Sequence, residues 1–258
     1  MQIDLILLIT AAATALAGAA RSTWSPCGVS MLSSITPFGE RRRGHNYRVT
    51  AAWFVLGATV GGATLGLAAM LLSALASASG FITHPLVVGS IAAAVALLGM
   101  AVDAGVFGEV LPVIRRQVDD RWLSRYRTWV YAGGFGWQIG TGVATYVMTS
   151  AVFVFVAVVA MIGRPLEAFA ICTGFGAARG TAVLLTSRAS DPGTLRALHR
   201  RLDRLEEPVR WAAIATQGTC AVVVAAYVAP IFGVACMGLA ASTLWASRGP
   251  TRARIARR

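Results

Sequence analysis

Trp24-Ser25-Pro26-Cys27-Gly28 interrupts the first long apolar stretch of the chain, and its reading decides the fold. Proline has no N–H to donate and its ring suits the first turn of a helix, so Ser25-Pro26 reads as an N-cap followed by the first helical position. A second half-helix then starts inside an otherwise continuous apolar run, with Cys27 in its first turn. There the helix dipole favours the thiolate, the reactive form of the thiol. The chain around this motif has 258 residues, 56% of them hydrophobic and 13% charged. A soluble domain carries about 25% charged residues. Apolar runs of spanning length recur along the sequence and predict an all-α polytopic membrane protein.

The runs fall at 3–36, 49–77, 84–107, 129–162, 166–187 and 209–229, with a shorter one at 231–246. That gives six to seven transmembrane helices in one domain, 1–246. A crossing takes about 20 helical residues, so the first and fourth runs are too long for one straight helix. Both carry a breaker: the Trp24–Gly28 motif in the first, and Gly133-Gly-Phe-Gly136 through Gly140-Thr-Gly142 in the fourth. Unwound backbone at membrane depth is tolerated only where protein or a water-filled cavity satisfies it.

The two halves echo each other. Trp24-Ser-Pro-Cys-Gly-Val-Ser-Met31 can be laid on Trp137-Gln-Ile-Gly-Thr-Gly-Val-Ala144, and Gly57-Ala-Thr-Val-Gly-Gly-Ala63 on Cys172-Thr-Gly-Phe-Gly-Ala-Ala178. With three spans per half the copies run in opposite directions. This predicts a 3+3 inverted repeat, about 3–107 and 129–229, with a site where the broken first and fourth helices meet. The helix-break residues expected there are Trp24, Ser25, Pro26, Gly28, Gly136, Trp137, Gln138, Gly140 and Gly142.

All 23 basic residues are arginine, and the net charge is +12. Of these 23, 20 cluster at 41–48, 115–127, 188–210 and in the tail, 247–258. The alternate loops are nearly free of charge. This positive-inside pattern predicts a multi-pass protein of the bacterial cytoplasmic membrane with its N-terminus outside and its arginine-rich loops and tail in the cytoplasm. Membrane lipid is then the partner of the basic segments, and a nucleic-acid role is not expected. In the loop 188–208, Asp191-Pro-Gly193 opens a helix with a stripe of Leu195, Leu198, Leu202 and Leu205, read as an amphipathic helix on the membrane surface.

Three side-chain groups stand out. Cys27 at the break is a candidate nucleophile, with Cys172 or Cys220 as a candidate second thiol; Cys236 reads as packing. Asp103, Arg179 and Arg21 are ionisable groups inside apolar runs, where a charge is costly unless paired. An Asp103–Arg179 pair is therefore expected. His45, His84 and His199 lie in loops or at span ends, so neither a metal nor another cofactor is implied.

Trp-Ser-Pro-Cys-Gly in a broken first span, together with three-plus-three spans, resembles the CcdA family and the transmembrane domain of DsbD. The resemblance implies a thiol–disulfide oxidoreductase that passes reducing equivalents across the membrane, as in cytochrome c biogenesis. Cys27 would be the first redox thiol, with Pro26 its neighbour. The implied partners are cytoplasmic thioredoxin and an extracytoplasmic thioredoxin-like protein. The chain would be a divergent member, since Ile139-Gly140 stands where the family carries its second-repeat cysteine. The alternative expectation is a small-solute transporter on the same architecture, without redox activity.

Overall fold

The computed structural model describes residues 2–108 and 121–247. Glu109, Arg115, Arg116 and the tail from residue 248 lie outside the described residues. The regular structure is helical throughout: α1 (Gln2–Arg21), α2 (Pro26–Ser34), α3 (Pro37–Arg42), α4 (Tyr47–Ala78), α5 (Pro85–Asp103), α6 (Trp122–Arg125), α7 (Thr128–Gly140), α8 (Ala151–Met161), α9 (Pro165–Thr181), α10 (Pro192–Val228) and α11 (Pro230–Ser247). Helix starts follow from local chemistry. Pro26, Pro37, Pro85, Pro165 and Pro192 each occupy a first turn, where the missing N–H has no intrahelical partner to lose. Ser25, Thr36, Asn46 and Asp191 cap α2, α3, α4 and α10 through their side-chain oxygens.

Six described segments are long and apolar enough to cross a membrane: Ile3–Trp24, Tyr47–Ala78, Pro85–Asp103, Pro165–Arg188, Pro192–Val228 and Pro230–Ser247. This is a polytopic helical membrane protein. The first run is broken as expected, between α1 and α2 by a short 3₁₀ turn at Ser22–Trp24. The fourth run is two shorter helices, α7 and α8, joined by an irregular segment at 141–150. Gly142 there has φ +72°, a left-handed conformation that disfavours any side chain. The segment 188–208 departs from a separate surface helix. Most of it belongs to α10, a helix of 37 residues that passes through Pro208 without a break. Trp24 Nε1 donates to the Leu202 carbonyl at 3.0 Å and ties this portion to the first break.

α4 is the central element. It lies between α7 and α9, its two most extensive neighbours, and glycines let the backbones touch. A Cβ on Gly136 or Gly140 of α7 would strike the carbonyls of Phe54 or Ala58 in α4. Gly62 of α4 and Gly176 of α9 face one another in the same way. Such close approach is how membrane helices gain packing energy when lipid removes the hydrophobic drive. Around this triple layer α1 packs on α8 and α5 on α10.

Two consequences can be measured on purified protein in detergent. Gly140→Val has only backbone to displace, so it lowers the thermal midpoint or abolishes folding, an overpacking cost of about 1–3 kcal/mol or more. Gly174→Ala, with open space around its site, leaves the midpoint unchanged or raised. At α10, the Thr194 and Gly193 amides donate to Asp191 and hold its carboxyl below the usual range. A depressed carboxyl stabilises the fold above its unfolded pKa and loses that effect as pH falls through the folded one. Amide protection at the start of α10 is therefore several-fold lower in Asp191→Ala than in the wild type at neutral pH, and the two converge in acid.

Candidate functional site at the meeting of two helix breaks

A broken helix inside a bilayer leaves amides at one new end and carbonyls at the other, and each needs a partner. At the first break, Ser25 Oγ accepts the Gly28 amide at 3.2 Å and the Ser25 carbonyl accepts the Val29 amide at 2.9 Å. Gly28 is required because a Cβ would run into the Thr23 carbonyl. Trp24, Ser25, Pro26 and Gly28 thus each have a task in building the break. At the second break, Asp103 reaches across from the end of α5. Its carboxylate accepts the Ser150 amide at 2.7 Å, the Thr149 hydroxyl at 2.5 Å and Gln217 Nε2 at 2.8 Å. Asp103 therefore acts as an N-terminal cap for α8, supplied by another helix. The negative charge sits at the positive end of the α8 dipole.

Arg179 serves the opposite end of that break. Nη1 donates to the Ile139 carbonyl at 2.7 Å, at the C-terminus of α7, where a cation is favoured. The expected Asp103–Arg179 pair is not formed, because each charge is engaged by a helix end. Arg21 also has its own partner, Glu206 of α10, at 3.5 Å. The two breaks do come together. Ser22, Thr23 and Gly28 from the first, Ile139 from the second, Arg179 from α9 and Phe54 from α4 line one small cavity of about 20 Å³.

The remaining expected residues are distributed differently. Cys27 is buried in a cluster with Met31, Phe54, Tyr131 and Phe135, and it is in electrostatic contact with Arg179. Cys172 belongs to a separate core cluster with Phe155 and Phe175. Cys220 lies beside Thr10 in a groove between α1 and α10. All four cysteines are free thiols. Gly136 and Gly140 pack on α4, Gly142 faces Phe175, and Trp137 donates to Thr64 Oγ1 at 3.1 Å on the outer surface. The Gln138 backbone carbonyl accepts the Thr141 hydroxyl at 2.8 Å. Among the described residues no group of three His, Cys, Asp or Glu is placed to hold a metal ion.

One centre escapes sequence reading. Glu40, within the arginine-rich 37–48 segment, is fully buried. It accepts from Arg43 at 2.7 Å, Thr50 at 2.7 Å and Tyr131 at 2.6 Å, with His45 at 3.6 Å. This joins α3, α4 and α7 at the arginine-rich end. The signal available was a lone acid among Arg41, Arg42 and Arg43, which also fits a solvated basic loop.

The fold and site define a polytopic helical membrane protein whose two interrupted helices meet at a buried arginine. Its similarities to known proteins are specific. The methylamine utilization protein MauF of Paracoccus denitrificans is 33% identical over 171 residues, covering 65% of this chain and 60% of the relative. MauF of Paracoccus versutus is 31% identical over 169 residues, 64% of this chain and 60% of the relative. MauF of Methylobacillus flagellatus is 31% identical over 174 residues, 64% and 58%. The chain spans about 60% of the length of these curated relatives. No family model and no solved structure matches.

These relatives correct the CcdA/DsbD resemblance and the function drawn from it. Thiol-based electron transfer for cytochrome c biogenesis, with its thioredoxin partners, is not retained, and neither is the solute-transporter alternative. The physical reason for the misreading is visible: Ser25, Pro26 and Gly28 are accounted for by the geometry of a helix break alone.

The capping role of Asp103 is open to test. Asp103→Ala strands the Ser150 amide, the Thr149 hydroxyl and Gln217, at about 1–3 kcal/mol for each group left unsatisfied. Asp103→Asn keeps an acceptor for Ser150 and retains most of the stability. Thermal unfolding of both variants in detergent should rank them in that order, well separated.

Proposed function

We propose that this chain is a membrane-integral component of methylamine utilization. The observation that carries the reading is the match to MauF proteins from several bacteria, at 33% identity over 171 residues in the first case. The working site is the meeting point of the two breaks. There the chain places a guanidinium, the buried Ser22 and Thr23, and two interrupted backbones within its spanning region. Contact of α1 with α8, α4 with α9 and α5 with α10 supports a two-fold relation between 3–107 and 129–229, which would bring the two breaks together.

Growth tests the reading. A strain lacking this chain should lose growth on methylamine as sole nitrogen source while growing normally on ammonium. The wild-type gene should restore it, and Arg179→Gln, accumulating in the membrane, should not. Undiminished growth of the deletion strain on methylamine, or a parent strain that never uses methylamine, rejects the proposal.

A further inference from the structure

The cavity between the breaks contains a charge without a counter-charge of the usual kind. Arg179 is 3% exposed, and a guanidinium keeps its proton in a protein. Its Nη1 is bound to the Ile139 carbonyl, while Nε is buried with no hydrogen-bond partner among the described residues. None of the ion pairs among the described residues involves it. Asp103, the carboxylate expected to serve, is occupied by Thr149, Ser150 and Gln217. A buried cation in low dielectric is strongly disfavoured unless a negative group sits beside it.

The surroundings suit an anion. Gly28, in the first turn of the nine-residue helix α2, lines the cavity, so the positive end of that helix adjoins it. Ser22 and Thr23, both buried, line the cavity and carry hydroxyl groups able to donate. The volume sets the size of the guest. One water-sized sphere needs about 10–15 Å³ of such space. A cavity of about 20 Å³ therefore suits a small, monatomic guest. We propose that this cavity is a binding site for one halide-sized monovalent anion, held by the Arg179 guanidinium and the hydroxyls of Ser22 and Thr23.

The rival source of negative charge would be an ionised Cys27, whose side chain is near enough to Arg179 to interact with it electrostatically. Halide dependence separates the two. The full chain is purified in detergent and its thermal unfolding followed in sodium chloride or bromide against sodium gluconate at equal ionic strength. A ligand that binds only the folded state raises its melting temperature saturably. The expected result is a rise of several degrees in halide that Arg179→Gln abolishes. Thr23→Val, which keeps the charge, should raise the half-saturating halide concentration about tenfold, the loss of one good donor. Should Arg179→Gln fail to fold, Thr23→Val and Ser22→Ala decide alone: unchanged half-saturation in both overturns the site. Equal melting in halide and gluconate overturns it too, as does a halide effect that persists in Arg179→Gln. A halide effect that emerges only in Cys27→Ala assigns the counter-charge to the thiolate and likewise overturns it.

Discussion

The structure depends on satisfying backbone groups where two helices stop inside the apolar region. Hydrocarbon offers no hydrogen bonds, so every interrupted turn must find donors and acceptors within the protein. At the first break the sequence neighbour Ser25 does this locally. At the second, the segment 141–150 relies on groups brought from far away in sequence. Asp103 of α5 and Gln217 of α10 meet at Ser150, and Arg179 of α9 takes the carbonyl of Ile139. Removing the break would leave Asp103 and Arg179 as isolated ions. Removing the ions would leave the break unsatisfied. The two features require each other.

That interdependence explains why α4 is so closely held. The ions reach their helix ends only if α5, α7, α9 and α10 sit at short, fixed separations. The glycine contacts of α4 with α7 and α9 fix two of these separations at backbone contact. A single Cβ at Gly140 or Gly176 would displace the frame on which the Arg179–Ile139 bond is built. At the arginine-rich end, Glu40 performs the same service for α3, α4 and α7 through Arg43, Thr50 and Tyr131. Close packing and polar satisfaction are thus one constraint seen from two sides.

Much of this was legible in the residues and some of it was not. Hydropathy marked the spans because bilayer thickness fixes helix length. The first break was legible because Ser-Pro is a local capping signal. The fourth run was legible as broken, but the four glycines within 133–140 lie inside α7 and the break falls after them, at 141–150; nor does the chain say which group will cap α8. That depends on a carboxylate 47 residues away, so a pairing of Asp103 with Arg179 looked equally natural. The separate surface helix at 188–208 failed for another reason. The loop and the span after it are one helix, since α10 continues through Pro208: a proline removes one hydrogen bond and need not end a helix.

The thiol reading failed where a motif had two sufficient causes. Ser25 is needed as a cap, Pro26 as a first-turn residue without an amide, and Gly28 because Thr23 lies against it. Three of the four residues Ser25 to Gly28 are thus accounted for by that construction. A motif whose members are mostly explained by one task carries information about that task, not about the chemistry of the remaining side chain. The break itself is therefore the feature to interpret. Its most unusual property is that the two interruptions share one small cavity with a guanidinium, in a chain similar over 65% of its length to a methylamine utilization protein. The cysteine beside that guanidinium matters first as a neighbour of the charge, and its position in the first turn of α2 follows from where the helix was made to restart.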